Sequence, residues 1–228
     1  KEEDIEAKVE VFDAKRPVEG LVIHNCKVGT GSLKTGDLVV AYVDVSKRED
    51  IARHHTVTHL LQSALRQVLG KHVEQSGSLV APDRLRFDYT HSKPLTKREI
   101  DRIEEIVNSA ILRNFPVLTS ETTLTQAKEM GALAFFGEKY GEKVRTVMVT
   151  FGSQAAPGEA FSFELCGGIH CHSTGEIGLF RIISETGIAA GVRRIEALAG
   201  KRAYEYTKGE EKIIEGMAEV LKVPRKEL

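Results

Sequence analysis

Two pairs of side chains in this 228-residue chain have the chemistry and spacing of metal ligands. His55 and His59 are four positions apart. In a helix this spacing turns the chain by about 400°, so the two imidazoles lie within about 40° of each other on one face. Cys166 and His170 form the second pair, and they also are four positions apart. Together the pairs offer three nitrogens and one sulfur, a set that suits tetrahedral Zn²⁺.

The second pair encloses two glycines, Gly167 and Gly168. Because glycine adopts positive φ angles without steric cost, we predict a tight loop in which thiolate and imidazole converge through such angles. Two other interpretations stay open at this point. In one, the histidines belong to a solvated helix face. In the other, Cys166 is a small buried apolar residue and His170 is a turn residue.

Four protein ligands make a closed site of the structural kind, whereas a catalytic zinc normally keeps one position for water or substrate. The residues leave this choice open. Cys171 follows His170 directly, and strand alternation points it away, so we predict that it packs internally. His24, His72 and His91 have no partner at ligand spacing, and we predict surface or structural roles for them.

The elements that must position these residues follow from hydrophobic periodicity. A helix is predicted from about Arg53 to Gly70, because its apolar residues recur at i, i+3, i+4 and i+7. A second helix is predicted over residues 96–114, where Thr96 and Glu99 fit a capping box. A short helix in TLTQAKEMG and a charged helix from about residue 200 complete the set. Strands are predicted in residues 78–90 and in TVMVTF, FSFEL, GLFRIISE and VRRIEAL.

The first fifty residues alternate in EAKVEVFD, turn at Lys34 to Asp37, and continue into the apolar segment LVVAYVDV. This pattern predicts short strands that form a small β-barrel or part of one, with a boundary near residue 50.

Composition excludes several classes of protein. The 32 Lys and Arg are balanced by 33 Asp and Glu, so any contact with nucleic acid must be local. Three cysteines are too few and odd in number for a disulfide framework, which indicates a reducing compartment. The N-terminal KEEDIEAK lacks the features of a signal peptide, and no apolar run approaches the ~20 residues of a membrane span. We therefore expect a cytoplasmic protein.

Two long blocks of sequence carry a family resemblance. RHHTVTHLLQSALRQVLGKHVEQSGSLVAPDRLRFDYTH and ELCGGIHCHSTGEIGLFRIISETGIAAGVRRIEALAG closely resemble the editing domain of alanyl-tRNA synthetases. The similarity extends from about residue 20 to residue 200. The sequence departs from the usual family pattern at His54 and Ile169, and neither departure removes a ligand.

The resemblance implies an α+β fold: a zinc-containing editing core of antiparallel sheet packed with helices, preceded by a partial β-barrel. The corresponding ranges are a barrel subdomain at 1–50, the editing core at 51–200 and the start of a C-terminal helical linker at 201–228. The family's single zinc is bound at the positions of the two pairs described above. Its editing function depends on positions that match Thr58 and Gln75, and Cys166 belongs to the same catalytic set.

The implied activity is hydrolysis of the ester that joins serine or glycine to the alanine tRNA. A second site is useful because one methyl group distinguishes substrates by only ~1–3 kcal/mol in a binding pocket. Two alternatives stay open: a free-standing deacylase that acts in trans, and a non-catalytic tRNA-binding module with a structural zinc.

The implied partners are the acceptor end of the alanine tRNA and the remainder of a parent synthetase in the same chain. Arg84, Arg86, Lys93 and Arg193 are the candidate RNA contacts, and Arg194 is expected to pair internally. ATP would bind only in the missing aminoacylation domain. The region that supports dimerisation in the family is also expected to lie outside this sequence.

Overall fold

The structure, a computed structural model, describes residues 7–18, 20–134, 141–152 and 159–228. In these ranges the chain has the predicted α+β class, and every sheet is antiparallel. The chain divides into two compact units, Lys1–Val43 and Asp44–Leu228. None of the described helices combines the length and apolar character needed to cross a bilayer.

The first unit contains a hairpin of β1 (Lys8–Val18) and β2 (Leu21–Thr30). The predicted turn is present, because Asp37 accepts a hydrogen bond from the Lys34 N–H at 2.7 Å. The expectation of a strand in LVVAYVDV is wrong: residues 38–44 have no regular structure, and Val45 begins a helix. No described strand pairs with this segment, so its apolar character alone does not make it a strand. The barrel stays a prediction.

In the second unit, α1 (Val45–Leu69) begins eight residues before the predicted start. Asp44 is its N-cap and accepts a hydrogen bond from the Lys47 N–H at 2.9 Å. The first two turns are polar, so the apolar period on which the prediction depends becomes visible only near Arg53. The helix ends before Gly70, as predicted.

A four-stranded sheet carries the main core. Its order is β3 (Gln75–Val80), β4 (Leu85–Thr90), β9 (Val192–Ala199) and β8 (Phe180–Ala189). The buried side chains of β4 and β9 pack against α1, and α2 (Lys97–Leu112) contacts α1 and β8 in the same core. The capping box predicted for α2 is confirmed, because the Glu99 carboxylate accepts from the Thr96 N–H at 2.7 Å.

The second ligand pair lies in the loop that directly follows a three-stranded sheet. The order of this sheet is β5 (Val117–Thr123), β6 (Lys143–Thr150) and β7 (Ala160–Leu165), and α3 (Leu124–Glu129) contacts β5 and β6. Strand β5 was not predicted from the sequence, because its middle residues are polar and exposed and so show no apolar alternation. The final helix, α4 (Gly200–Leu221), begins where it was predicted.

Candidate metal centre

The two ligand pairs meet. One ligand atom from each of His55, His59, Cys166 and His170 lies within 4.8 Å of the others. The Cys166 Sγ is 3.3 Å from the Nε2 of His55 and 3.3 Å from the Nε2 of His170. In a tetrahedral Zn²⁺ site, bond lengths of ~2.0–2.3 Å place neighbouring ligand atoms about 3.3–3.6 Å apart. The sulfur and these two nitrogens already have the spacing of such a site.

Helix α1 supplies its pair from a buried face. His59 is only 4% exposed, and Gln62 on the next turn is 3% exposed, so the solvated-face interpretation is wrong. Strand β7 covers this side of the helix, and Ser63 donates a hydrogen bond to the Phe161 carbonyl at 2.5 Å. The His59 Nε2 has no hydrogen-bond partner among the described residues. A buried, unpartnered ring nitrogen beside a thiol is the arrangement that a metal ligand requires.

The loop of Gly167 and Gly168, here called the glycine loop, has a different backbone conformation from the one predicted. Neither Gly167 nor Gly168 has a positive φ angle, so the expected turn conformation is wrong. The structural reason for glycine is close approach: a Cβ at Gly168 would lie 1.9 Å from the Cε1 of His55. Arg145 on β6 fixes the loop from the other side, because its guanidinium donates to the Gly168 carbonyl and its own carbonyl accepts from the Cys166 N–H at 3.0 Å.

Side chains outside the ligand set contact the far ring nitrogens of two histidines. The His59 Nδ1 is 2.5 Å from the Glu164 carboxylate, and that carboxylate also accepts from Ser162 at 3.1 Å. The His170 Nδ1 is 3.4 Å from the Thr56 hydroxyl, which accepts a backbone N–H bond at 3.0 Å from Cys171.

Neither Glu164 nor Thr56 was predicted from the sequence. A signal for Glu164 was available: Ser162, Glu164 and Cys166 alternate along FSFELC, so a strand places all three on one face.

The environment of Cys166 favours the thiolate. Burial alone would raise the pKa of this thiol, but the neighbouring imidazoles of His170, His55 and His59 outweigh burial and lower the pKa to about 3. Burial lowers the pKa of His170 to about 4, so its imidazole is neutral near pH 7. Burial alone would lower the pKa of His59, but the Glu164 carboxylate outweighs burial and raises the pKa to about 10. Thiolate and neutral imidazole are the forms that bind metal ions, so a metal ion would have to displace a proton from His59.

A cleft of about 250 Å³ opens beside the ligand cluster. Thr58 and Gln75, predicted from separate parts of the sequence, both line it, and so does Ser78. Thr58 donates its hydroxyl proton to the His54 carbonyl at 2.7 Å, and Gln75 donates its amide to the Ser78 hydroxyl at 3.2 Å. The remaining lining residues are His55, His59, Leu165, Cys166, Gly167 and Gly168.

The predicted RNA contacts do not line this cleft. Arg193 forms a bidentate ion pair with Glu185 at 2.5 and 2.6 Å and faces a different cleft, of about 420 Å³.

The other three predicted RNA contacts differ in exposure and pairing. Arg84 pairs with its neighbour Asp83 at 2.9 Å. Arg86, its Nε 3.6 Å from Asp88, is about one-third exposed. Lys93 is exposed.

Arg194 pairs internally with Asp88 at 2.7 and 2.8 Å, as predicted.

The other histidines and Cys171 stay outside the cluster. Cys171 is buried, as predicted, and His24 is exposed. His72 and His91 contact each other, with Nε2 and Nδ1 3.1 Å apart, and no third ligand joins them among the described residues.

His54 is structural: its Nε2 accepts from the Ala199 N–H at 3.1 Å, so its Nδ1 carries the proton toward the Asp50 carbonyl.

Comparison with known proteins gives a consistent result. Residues 144–196, which contain β7, β8, the glycine loop and most of β6 and β9, match the family model described as the threonyl and alanyl tRNA synthetase second additional domain. The alanine-tRNA ligase of Desulforamulus reducens is 52% identical over 221 residues, which are 97% of this chain and 24% of the relative. That of Desulfitobacterium hafniense is 49% identical over 224 residues, 98% of this chain and 25% of the relative.

The alanine-tRNA ligase of Pseudothermotoga lettingae is 49% identical over 212 residues, 93% of this chain and 24% of the relative. The chain thus spans about a quarter of the length of these relatives. The resemblance seen in the sequence is confirmed: nearly the whole chain is similar to a segment of alanine-tRNA ligases, and residues 144–196 match the domain model of the threonyl and alanyl enzymes.

Proposed function

We propose that this chain is the editing module of an alanyl-tRNA synthetase and hydrolyses the ester of seryl- and glycyl-tRNA(Ala) in the cytoplasm. The observation that carries the proposal is the convergence of the His55, His59, Cys166 and His170 cluster with Thr58 and Gln75 at one cleft. Within the proposal, residues 51–200 are the editing core, 1–50 a partial β-barrel and 201–228 the start of a helical linker.

The four-residue cluster fits one Zn²⁺. The donor set is three imidazoles and a thiol with a pKa near 3, and the His59 Nε2 has no other described partner. When bound, Zn²⁺ supplies a Lewis acid that polarises or orients an oxygen or nitrogen of the substrate. The protein's own contribution is to hold the ligands and shape the cleft beside them.

The size of the cleft fits the aminoacyl group. A volume of about 250 Å³ admits a small amino acid and its ester but not a nucleic-acid duplex. A second site is needed because the pocket that charges alanine discriminates against glycine by one methyl group, which is worth ~1–3 kcal/mol. It also cannot strongly exclude serine, whose extra hydroxyl a polar cleft can bind by hydrogen bonding.

Polar atoms in the cleft have hydrogen-bonding capacity left. The Thr58 hydroxyl donates to the His54 carbonyl, so its lone pairs are free to accept. The Ser78 hydroxyl accepts from Gln75, so its own proton is free to donate, and the Gln75 carbonyl oxygen is free to accept. These groups would orient the amino group and the seryl hydroxyl of the substrate.

The backbone of the glycine loop supplies candidate oxyanion donors. The N–H groups of Gly167 and Gly168 donate to no acceptor among the described residues, and both glycines line the cleft. In this proposal a water attacks the ester carbonyl while these N–H groups stabilise the developing negative charge. No carboxylate is among the residues that line the cleft, so we assign no general base.

The acceptor end of the tRNA would be bound by surface cations, with Arg84, Arg86, Lys93 and Arg193 as candidates. Arg86 and Lys93 are the better candidates for phosphate contact, since Arg193 is bound to a nearly buried Glu185. The remainder of a synthetase would contribute further contacts in the same chain.

The test is deacylation of Ser-, Gly- and Ala-tRNA(Ala) by the wild-type chain, Cys166→Ala and the matched control Cys26→Ala, whose thiol is exposed and remote from the cluster in sequence. We expect hydrolysis of the first two esters only, loss of zinc and activity in C166A, and neither loss in C26A. A wild-type chain that binds zinc and tRNA without hydrolysis would identify a non-catalytic module. Full zinc content and activity in C166A would refute the ligand assignment.

A further inference from the structure

Glu164 is a buried carboxylate that the proposed chemistry does not use. Its side chain is only 1% exposed, and its Oε2 lies 2.5 Å from the Nδ1 of His59. A carboxylate removed from water is costly unless it has a partner of opposite charge or strong hydrogen-bond donors. The position of Glu164 therefore calls for a specific partner, and His59 is the group that satisfies it.

The backbone holds this carboxylate rigidly. Glu164 pairs with Val147 of β6 on one side of its strand and forms a bridge with Leu133 on the other. Ser162, two residues earlier on the same face, donates its hydroxyl to the second carboxylate oxygen at 3.1 Å. Both oxygens are thus engaged, and the side chain cannot rotate away from His59 without losing a hydrogen bond.

The contact determines which ring nitrogen of His59 is available. An imidazole that donates from Nδ1 to a carboxylate presents the lone pair of Nε2 on the opposite side of the ring. The Nε2 of His59 is the atom that has no described hydrogen-bond partner and belongs to the ligand cluster. In the neutral imidazole, Glu164 thus keeps the proton on Nδ1, and this is the tautomer that the cluster needs.

We propose that Glu164 is a positioning residue that raises the affinity of the site for its metal ion, and that Ser162 supports it. The inference rests on the proposed zinc site.

The other histidines show why this residue, and not another, carries the effect. His170 meets a neutral hydroxyl, that of Thr56, at the longer distance of 3.4 Å. His55 makes its described hydrogen bond to the Cys166 sulfur, and its ring packs against Gly168. Outside the ligand set, Glu164 is the one charged group in hydrogen-bond contact with a ligand ring among the described residues.

The test compares zinc affinity in Glu164→Ala, Glu164→Gln and Ser162→Ala, with the exposed strand residue Glu121→Gln as the control. Affinity is measured by competition with a chromophoric chelator, and the geometry by the visible absorption of the Co²⁺-substituted protein. We expect a ~10–100-fold loss of affinity in E164A. A smaller loss is expected in E164Q, which keeps an acceptor without the charge, and the smallest in S162A.

Affinities within twofold of the E121Q control in both Glu164 variants, with unchanged Co²⁺ spectra, would overturn the proposal, as would a wild-type chain that does not bind zinc. E164Q is nearly isosteric, so it provides the result if E164A does not fold. Affinity is independent of hydrolysis: a chain that binds zinc through Glu164 but leaves seryl-tRNA intact would refute the proposed function and not this inference.

Discussion

Substitution of Gly168 by alanine tests the geometry of the metal centre more directly than removal of a ligand. The added Cβ would lie 1.9 Å from the Cε1 and 2.3 Å from the Nδ1 of His55, whereas ordinary contact begins near 3.4 Å. The imidazole must therefore move by about 1.5 Å or the loop must shift by a similar amount. Metal–ligand distances tolerate only ~0.2 Å, so the His55 nitrogen would leave its coordinating position.

The expected result is loss of metal affinity by at least the ~10–100-fold seen when a ligand is merely misoriented. Deacylation should fall by ~100-fold or more, since a displacement of about 1 Å in a catalytic arrangement has that effect. The fold should persist, because the glycine lies in a loop and His55 belongs to a long helix that is anchored elsewhere.

The matched control is Gly167→Ala. Its Cβ would meet no atom within 4 Å, and its φ angle is not positive, so it adds the same methyl group without a clash. Zinc is measured by mass spectrometry and chelator competition, and folding by thermal unfolding of the apo protein. If Gly168→Ala keeps the zinc affinity and activity of Gly167→Ala, the argument from close packing is wrong.

Two further predictions concern stability. Thr96→Ala should lower the free energy of unfolding by ~0.5–2 kcal/mol, because it removes the hydroxyl that accepts from the Glu99 N–H at 3.3 Å. Urea denaturation measures this change, with Ser92→Ala at an exposed position as the control. Glu185→Gln should change the acid limb of stability. Burial alone would raise the pKa of Glu185, but Arg193 outweighs it and lowers that pKa. The Glu185–Arg193 ion pair therefore stabilises the fold above pH ~4.3, and its contribution is lost as the pH falls through the pKa of Glu185 in the folded protein. The free energy of unfolding of Glu185→Gln should therefore fall less steeply than that of the wild type below pH ~5. An equally steep fall in both proteins would contradict this.

Much of the fold is accessible from local sequence signals. The capping box at Thr96, the stop at Gly70 and the start of the last helix are confirmed, because each depends on neighbouring residues alone. The start of α1 and the presence of β5 escaped prediction, because both segments are polar and lack the apolar period. The prediction of a strand in LVVAYVDV was wrong for the opposite reason: the segment is apolar, but no described strand lies beside it.

By itself the sequence determined the chemistry of the centre: which side chains can bind a metal, and that a spacing of four puts two imidazoles on one helix face. Only the tertiary structure decided that β7 covers this face, that Gly168 is required by the ring of His55, and that Glu164 contacts His59. The physical reason is distance along the chain. Helical periodicity fixes neighbours within one or two turns, whereas contacts across more than a hundred residues depend on how separate elements pack.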